Sequence, residues 1–443
     1  MMPALCWCFD VHEAYRLRRY TVFDIGQSSV YEDDDRNCDS LMAFARAAYL
    51  PMNDLVLKLI RRHKKSFKCA FAVSGTALDQ FEQYAPEVID GFKALADTGC
   101  VEFVACPSAH SLAFLYSREE FNRQVKAHCA RLKDLFGKKP LTFRNTEFIY
   151  NNALAAAAEE SGFKAVLAEG AYHVLGWRSP NYLYMAPGAS SIRLFLRNPS
   201  LATDISLKFG NREWRSWPLT VEKYVGWCRS CADADVINLY WDYHAFGARH
   251  DAASGIFAFM DALPAALLAD RRFSFMSPSE AIKKIEPRGE VDVPDFMSWR
   301  DTERDLTTWL GNDMQKDAVH TLYGLDLRVR EVGDAALRQD YERLQTIEHF
   351  YNMSTKWFTG YAADRPNPFG NPYDAYITYM NVLADFELRL AAAEKASAPV
   401  ARRPTAGETI ASKKVASSKK PVEPKRATPQ RTGQKSGGRS KKS

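Results

Sequence analysis

Seven short apolar runs, each separated from the next by a longer stretch, mostly of helical periodicity, divide the first 276 residues of this 443-residue chain, and no other feature restricts its fold so strongly. Ala4 to His12 starts apolar and ends polar. Helical patterning from about Asp39 to Arg62 leads to Cys69–Ser74, which stops at Gly75. Leu78 to Ala96 is amphipathic, Gly99 breaks it, and Val101–Cys106 makes a third run ending at Pro107. After a helical stretch from Arg118 to Phe136, the fourth run begins at Leu141 and stops at the carboxylate of Glu147. The alanine-rich Leu154–Glu160, closed by Gly162, separates it from Ala165–Glu169, the fifth. Residues 170–218, rich in Pro, Asn and Trp, read as irregular. Thr220 caps a helix to about Ala232, Val236–Asp242 is the sixth run, and Phe273–Met276, after a helix near 255–268, is the seventh.

Strands that alternate with helices argue for a parallel α/β architecture, and near-continuous apolar strands suit a sheet buried on both faces. A (β/α)7 incomplete TIM-like barrel over residues 1–290 is the expectation. Its logic is that His12, Glu147, Glu169 and Asp242 all end their strands on one side, where a barrel of parallel strands opens into its active-site mouth. Glu147 also has a structural reading, as a partner of Arg144 or a cap for the next helix.

From Glu303 onward the strand pattern stops. Leu306–Tyr323, Ala335–Trp357 and Pro372–Lys395 predict long helices, an α-helical domain over 291–396 packed on the barrel. The formal net charge of +5 conceals two unlike polymers. Residues 401–443 carry +11, and residues 1–400 carry −6. The tail, 397–443, has almost no apolar residues and reads as disordered; its charge suggests a weak contact with nucleic acid or another polyanion.

No run of ~18 apolar residues is present, which argues against a membrane span, and Met1–Tyr20 lacks the apolar core of a signal peptide, so a cytoplasmic location is expected. Nine cysteines, an odd number, fit reduced thiols. Cys6-x-Cys8 and Cys228-x-x-Cys231 lack the further ligands that a structural zinc needs.

Paired carboxylates at strand ends, with aromatic side chains beside them, suit glycoside hydrolysis: one acts as nucleophile or base, the other as acid, and sugars stack on the rings. Trp177, Trp214, Trp217, Tyr182 and Trp241 lie on the strand-end side in this reading. A metal-dependent deacetylase would also use a barrel strand carrying Asp10 and His12. It needs closely spaced histidines, and only His244 and His250, six apart, come near.

Several longer segments carry a resemblance. Val11–Tyr20, Phe143–Asn152, Leu167–Gly170, Gly176–Tyr182, Trp217–Thr220, Asn238–Tyr243, Ser277–Glu280, Trp309–Asn312 and Glu348–Met353 are similar to motifs of glycoside hydrolase family 57, the α-amylase-like group acting on α-glucans. The likeness runs from about Leu5 to Leu390 and implies a seven-stranded barrel followed by a helical domain. It implies Glu147 as nucleophile and Asp242 as general acid/base of a retaining hydrolase or transglycosylase, with no metal or organic cofactor. It further implies sugar-binding roles around the pair for His12, His110, Glu169, Trp177, Trp241, His244, Glu348 and His349.

The departures from the family pattern cluster in the same motifs. His-Gln-Pro is here His12-Glu13-Ala14; Ala-Glu is Ala105-Cys106; and Asp-Tyr-Glu-Thr-Phe-Gly-Glu-His is Asp242-Tyr-His244-Ala-Phe-Gly-Ala248-Arg249. In the helical region an aspartate has become Glu348. The alternative is therefore a catalytically impaired member that binds carbohydrate.

Overall fold

The computed structural model describes residues 3–231, 233–356 and 367–397. Among these residues nine strands make one sheet: β1 (Ala4–Val11), β2 (Cys69–Val73), β3 (Val101–Phe103), β4 (Thr142–Arg144), β5 (Ala165–Glu169), β6 (Leu183–Ala186), β7 (Ala189–Arg197), β8 (Val236–Asp242) and β9 (Ser274–Phe275). Seven run parallel in the order β3-β2-β1-β8-β7-β5-β4. The two ends meet just above β3, where Ala105 N–H donates to Thr142 O at 2.9 Å and Arg144 N–H to Ala105 O at 2.8 Å. These bonds leave a nearly closed seven-stranded parallel barrel.

Six of the seven apolar runs become barrel strands, and the seventh place goes elsewhere. Phe273–Met276 yields only β9, two residues that pair with Ala4 and Leu5 at the start of β1. The missing strand is β7, inside the region read as irregular; it pairs with β5 over five residues and meets β8 at Arg197–Asn238. Its signal is masked locally. The antiparallel β6 leads into it through Gly188 at φ +75°, a left-handed turn that favours glycine, and β7 opens with the exposed Ser190 and Ser191 before its apolar stretch.

Strand alternation decides which side chains reach the barrel interior. On β1 and β2 the large residues Leu5, Trp7, Phe9, Val11, Phe71 and Val73 pack outward with the helical layer. Ala4, Cys6, Cys8, Ala70 and Ala72 belong to the other core. Small inner residues suit a narrow barrel, and continuing the same period places Asp10 and His12 inward at the mouth. Cys6 and Cys8 are thus buried free thiols, and burial pushes both well above the ordinary thiol range. Cys228 and Cys231 are free as well.

Beyond the barrel strands the chain is helical but more broken than its periodicity suggests. Thr307–Leu310, Asp313–Gly324, Asp326–Val332, Ala335–Leu344, Glu348–Tyr351 and Pro372–Ser397 are separate helices. Asn312 starts the second of these with a reciprocal cap: its side chain accepts from Gln315 N–H, and Gln315 Oε1 accepts from Asn312 N–H at 3.1 Å. Gly333, at φ +69°, ends the third. The last residue of the expected helix Ala335–Trp357, and the basic tail beyond Ser397, lie outside the described residues. None of the described helices is long and apolar enough to cross a membrane.

Candidate active site

At the end of β4 the chain turns sharply. Glu147 and Phe148 both adopt left-handed φ, +50° and +55°, a conformation that costs non-glycine residues of order 1–3 kcal/mol each and survives only where the surroundings hold it. His110, Asp301 and Arg304 share that strain at φ +51°, +54° and +56°. Five of the six described non-glycine residues of positive φ therefore lie in three loops, and these three loops meet at Glu147.

Glu147 is 4% exposed and receives hydrogen bonds from three sides. His110 Nε2 lies 3.2 Å from Oε1; Trp299 Nε1–H donates to Oε2 at 2.6 Å and Arg300 Nε–H to Oε2 at 2.5 Å. Burial alone would raise this carboxyl, but the Arg300 charge and the His110 and Arg300 hydrogen bonds outweigh it and hold Glu147 well below the usual range. It is ionised at neutral pH. The segment bearing Trp299 and Arg300 is itself fixed by β-type pairing: Met297 and Tyr150 exchange two 2.9 Å backbone bonds, and Trp299 N–H donates to Glu147 O.

His110 stacks on His12 with ring centroids 3.7 Å apart. Ser74 Oγ caps the following helix by accepting from Ala77 N–H, so its own proton is available to His12 Nδ1 at 2.9 Å. With Nδ1 accepting, the single proton of the neutral imidazole sits on Nε2, which faces Glu348 Oε1 at 3.0 Å. Burial, with His12 alongside, lowers the pKa of His110. His12, His110 and Glu348 place ligand-type atoms within 4.8 Å of one another, a set of the kind that can hold a divalent ion, although hydrogen bonding accounts for the same proximity.

Asp242 ends β8 with about a quarter of its side chain exposed. Its Oδ1 accepts from His244 N–H at 3.0 Å and lies 3.4 Å from His244 Nδ1; Arg249 Nη2 is 3.5 Å from Oδ2. Behind it, His244 Nε2 meets Glu13 Oε1 at 2.7 Å and Tyr49 Oη at 2.6 Å, while Tyr49 donates to the same Glu13 oxygen at 2.6 Å. Glu13 is 1% exposed. Burial would raise its pKa, yet His244, Arg16 and Tyr49 together hold it below the usual range. The chain departs from the family pattern at both 13 and 244, and the structure joins those two departures in one hydrogen-bonded unit.

Two inward charges tie the mouth together. Asp10, paired in register with Asp242 across β1 and β8, forms a buried ion pair with Arg144, whose Nε–H also donates to Tyr240 Oη at 2.9 Å. The pairing of Arg144 with Asp10 leaves Glu147 to its other partners.

The remaining expected residues are not all brought to this cluster. Glu169 is buried against Arg197 at 3.2 Å, and burial, outweighing Arg197 and Arg304, raises its carboxyl. Trp177 is 91% exposed and its ring meets only Arg178 among the described contacts, so the structure does not set it beside Glu147 or Asp242. Trp241 is fully buried on the outward phase of β8, packed on Trp7, Phe9 and Phe246, with its indole N–H given to Ala202 O; it offers no stacking face. Counting along β8 from the inward Tyr240 would have revealed this. His349 is buried beside the Arg343 carbonyl and Tyr379, one residue past Glu348 but turned into the helical core. Cys106, where the family pattern has a carboxylate, gives its backbone N–H to His128 Nδ1. Trp299, Arg300 and Arg304 were not foreseen. They lie near the expected domain boundary, where only their density of Arg and Trp offered a signal.

Two cavities border the cluster. One, about 500 Å³, includes Tyr15, Phe44 and Glu348 in its wall; the other, about 290 Å³, includes Asp242, Trp299 and Arg300. Arg300 thus connects the carboxylate of Glu147 to the cavity that holds Asp242.

Comparison with known proteins places this architecture. The chain is 37% identical over 396 residues to a Methanocaldococcus jannaschii protein named "Putative alpha-amylase", covering 86% of this chain and 83% of that protein. In fold it is similar to a family-57 branching enzyme of Thermococcus kodakaraensis (TM-score 0.65, 14% identity, 88% of this chain and 90% of that one). It is also similar to the 4-alpha-glucanotransferase of Thermococcus litoralis (TM-score 0.61, 14% identity), where the match covers 86% of this chain but only 60% of the other. The family model for glycosyl hydrolase family 57 matches residues 7–294, well over half of the sequence, which takes in β1 from Trp7 and β2 to β9 whole. The chain belongs to glycosyl hydrolase family 57.

Proposed function

We propose that this protein is a retaining α-glucan hydrolase or transglycosylase in which Glu147 is the nucleophile and Asp242 the general acid/base. A Glu147 oxygen attacks the anomeric carbon while Asp242 gives its proton to the glycosidic oxygen, and the carbon–oxygen bond to the leaving sugar breaks. Asp242, now a carboxylate, takes a proton from water or from a sugar hydroxyl, whose oxygen displaces Glu147 and releases the product. The observation that carries this reading is the state of Glu147: a buried carboxylate on a strained turn at a strand end, kept ionised by Arg300 and His110. The names of the relatives, an alpha-amylase, a branching enzyme and a 4-alpha-glucanotransferase, support an α-glucan as substrate. His12, His110 and Glu348 line the approach to Glu147 in this reading, and His244 orients Asp242.

The test is turnover of malto-oligosaccharides and glycogen by the wild-type protein beside Glu147→Gln and Asp242→Asn. Wild-type rates that exceed both variants by ~1,000-fold or more fit groups that act in the transition state; rates equal to theirs reject the assignment for these glycans.

A second reading, carbohydrate binding without cleavage, is favoured by one specific contact. Arg300 meets Glu147 at 2.5 Å, so the nucleophile must part from a charged partner before it can reach a sugar. Tight binding of malto-oligosaccharides by calorimetry, with no turnover above the variants, would establish it.

A further inference from the structure

Among the described residues, the cavity beside Asp242 is lined by more guanidinium groups than carboxylates. Arg197, Arg249, Arg300 and Arg304 all line it, against the carboxylates of Asp242 and Asp301. Following each charge to its partner shows which cations are already neutralised. Arg197 pairs with Glu169 at 3.2 Å, Arg300 with Glu147 at 2.5 Å, and Asp301 with Lys356 at 3.2 Å. Arg304 donates to the carbonyl of Trp299 and has no carboxylate within ion-pair distance among the described residues. Arg249 reaches Asp242 only at 3.5 Å and Ser206 O at 3.4 Å, both longer than the ~2.7–2.9 Å of a strong charged hydrogen bond.

Two arginine side chains, from the segment after β8 and from the strained 301–304 turn, therefore line one space of about 290 Å³ without a short carboxylate contact among the described residues. That volume is at the small end of ligand sites, suited to a single sugar ring with a substituent. A neutral sugar does not need this charge, since its hydroxyls are satisfied by neutral donors and by carboxylates. A planar guanidinium fork matches a carboxylate or a phosphate.

We propose that this cavity binds a sugar ring carrying an anionic group, a carboxylate or a phosphate, through Arg304 and Arg249. On the reading of Asp242 as general acid, on which the placement rests, this ring is the one on the leaving-group side of the bond that is cleaved. The preferred glycan is then an acidic one, or the acceptor in transfer is an acidic sugar.

The experiment is calorimetric titration of the full chain with glucose, glucose 6-phosphate and glucuronate, at low and at raised salt, repeated with Arg304→Gln and with Arg249→Gln. At least one of the two anions binds ~10-fold or more tightly than glucose, a difference of about one decade in Kd; the advantage shrinks with salt and is lost in a folded variant, while glucose binding changes less. Which anion is preferred separates the two sources of negative charge. Equal binding of all three sugars, or an anion preference that both variants retain, overturns the proposal. Two variants keep the test decisive if one fails to fold. Because binding needs no turnover, the outcomes separate: anion preference in a protein that cleaves no glycan keeps the pocket and removes the leaving-group placement, whereas turnover of neutral glycans with no anion preference removes the pocket alone.

Discussion

Arg300 Nε lies 2.5 Å from Glu147 Oε2, although 153 residues separate the two along the chain. This contact sets the charge state of the proposed nucleophile, and its removal is readable in the pH dependence of rate. With Glu147 held low, the carboxylate stays ionised as pH falls until the lowered folded value is reached. Arg300→Gln releases it upward, so the acidic limb of kcat/KM moves to higher pH. A pH–rate profile on one malto-oligosaccharide checks this, and an unmoved acidic limb would mean that His110 and Trp299 suffice.

His244 stands between two carboxylates, Glu13 and Asp242, at 2.7 and 3.4 Å. If it orients the acid, its loss should matter most when the leaving group needs a proton. His244→Gln and Glu13→Gln are expected to lower kcat on maltose-type substrates by roughly 10- to 100-fold, less than the ~100- to 10,000-fold that a general acid itself contributes. On an aryl glycoside with an acidic phenol leaving group the loss should be several-fold smaller. Equal losses on both substrates would point to a general disturbance of the fold.

His128 bridges β2 and the segment after β3 as a neutral imidazole: Nε2–H donates to Val73 O at 2.7 Å and Nδ1 accepts from Cys106 N–H at 3.1 Å. Burial lowers its pKa to about 4, and burial lowers His349 to about 4 as well. The unfolded chain takes up these protons near pH 6.5 and the folded one only near 4. The stability they confer is complete above 6.5 and declines as pH falls toward 4, by on the order of 3 kcal/mol for each group. Denaturant unfolding at a series of pH values should show this slope. His128→Gln, which keeps a donor and an acceptor, should flatten it by about half.

Arg144 and Asp10 form a buried pair inside the mouth, with Arg144 1% exposed. Arg144→Met strands the Asp10 charge and is expected to cost about 3–5 kcal/mol in denaturant unfolding. Combining it with Asp10→Asn should recover part of that loss, because the uncompensated charge is gone. A double variant as unstable as the single one would show that packing around Tyr240 dominates.

The barrel was legible because its evidence is local. Apolar runs such as Cys69–Val73 and Val236–Asp242, each followed by amphipathic sequence, declare a buried parallel strand whatever surrounds them. β7 escaped because Ser190 and Ser191 break its period, and β9 was overstated because an apolar run shows hydrophobicity but not how many partners its backbone finds. Trp241 and Trp177 were both expected to bind sugar for a related reason: composition marks a tryptophan as useful to a sugar, but only strand phase and packing decide whether its face is open.

Sequence alone determined that a carboxylate ends β8, that another follows β4, and that histidines follow β1 and β3, since strand length and turn chemistry are read within a few residues. Tertiary structure decided what those groups are. Arg300 rather than Arg144 neutralises Glu147, Glu13 answers His244, and Arg304 has no carboxylate within ion-pair distance among the described residues. Ionisation and hydrogen bonding depend on distances of a few ångströms between atoms that the chain carries far apart, and no periodicity along a sequence encodes those distances.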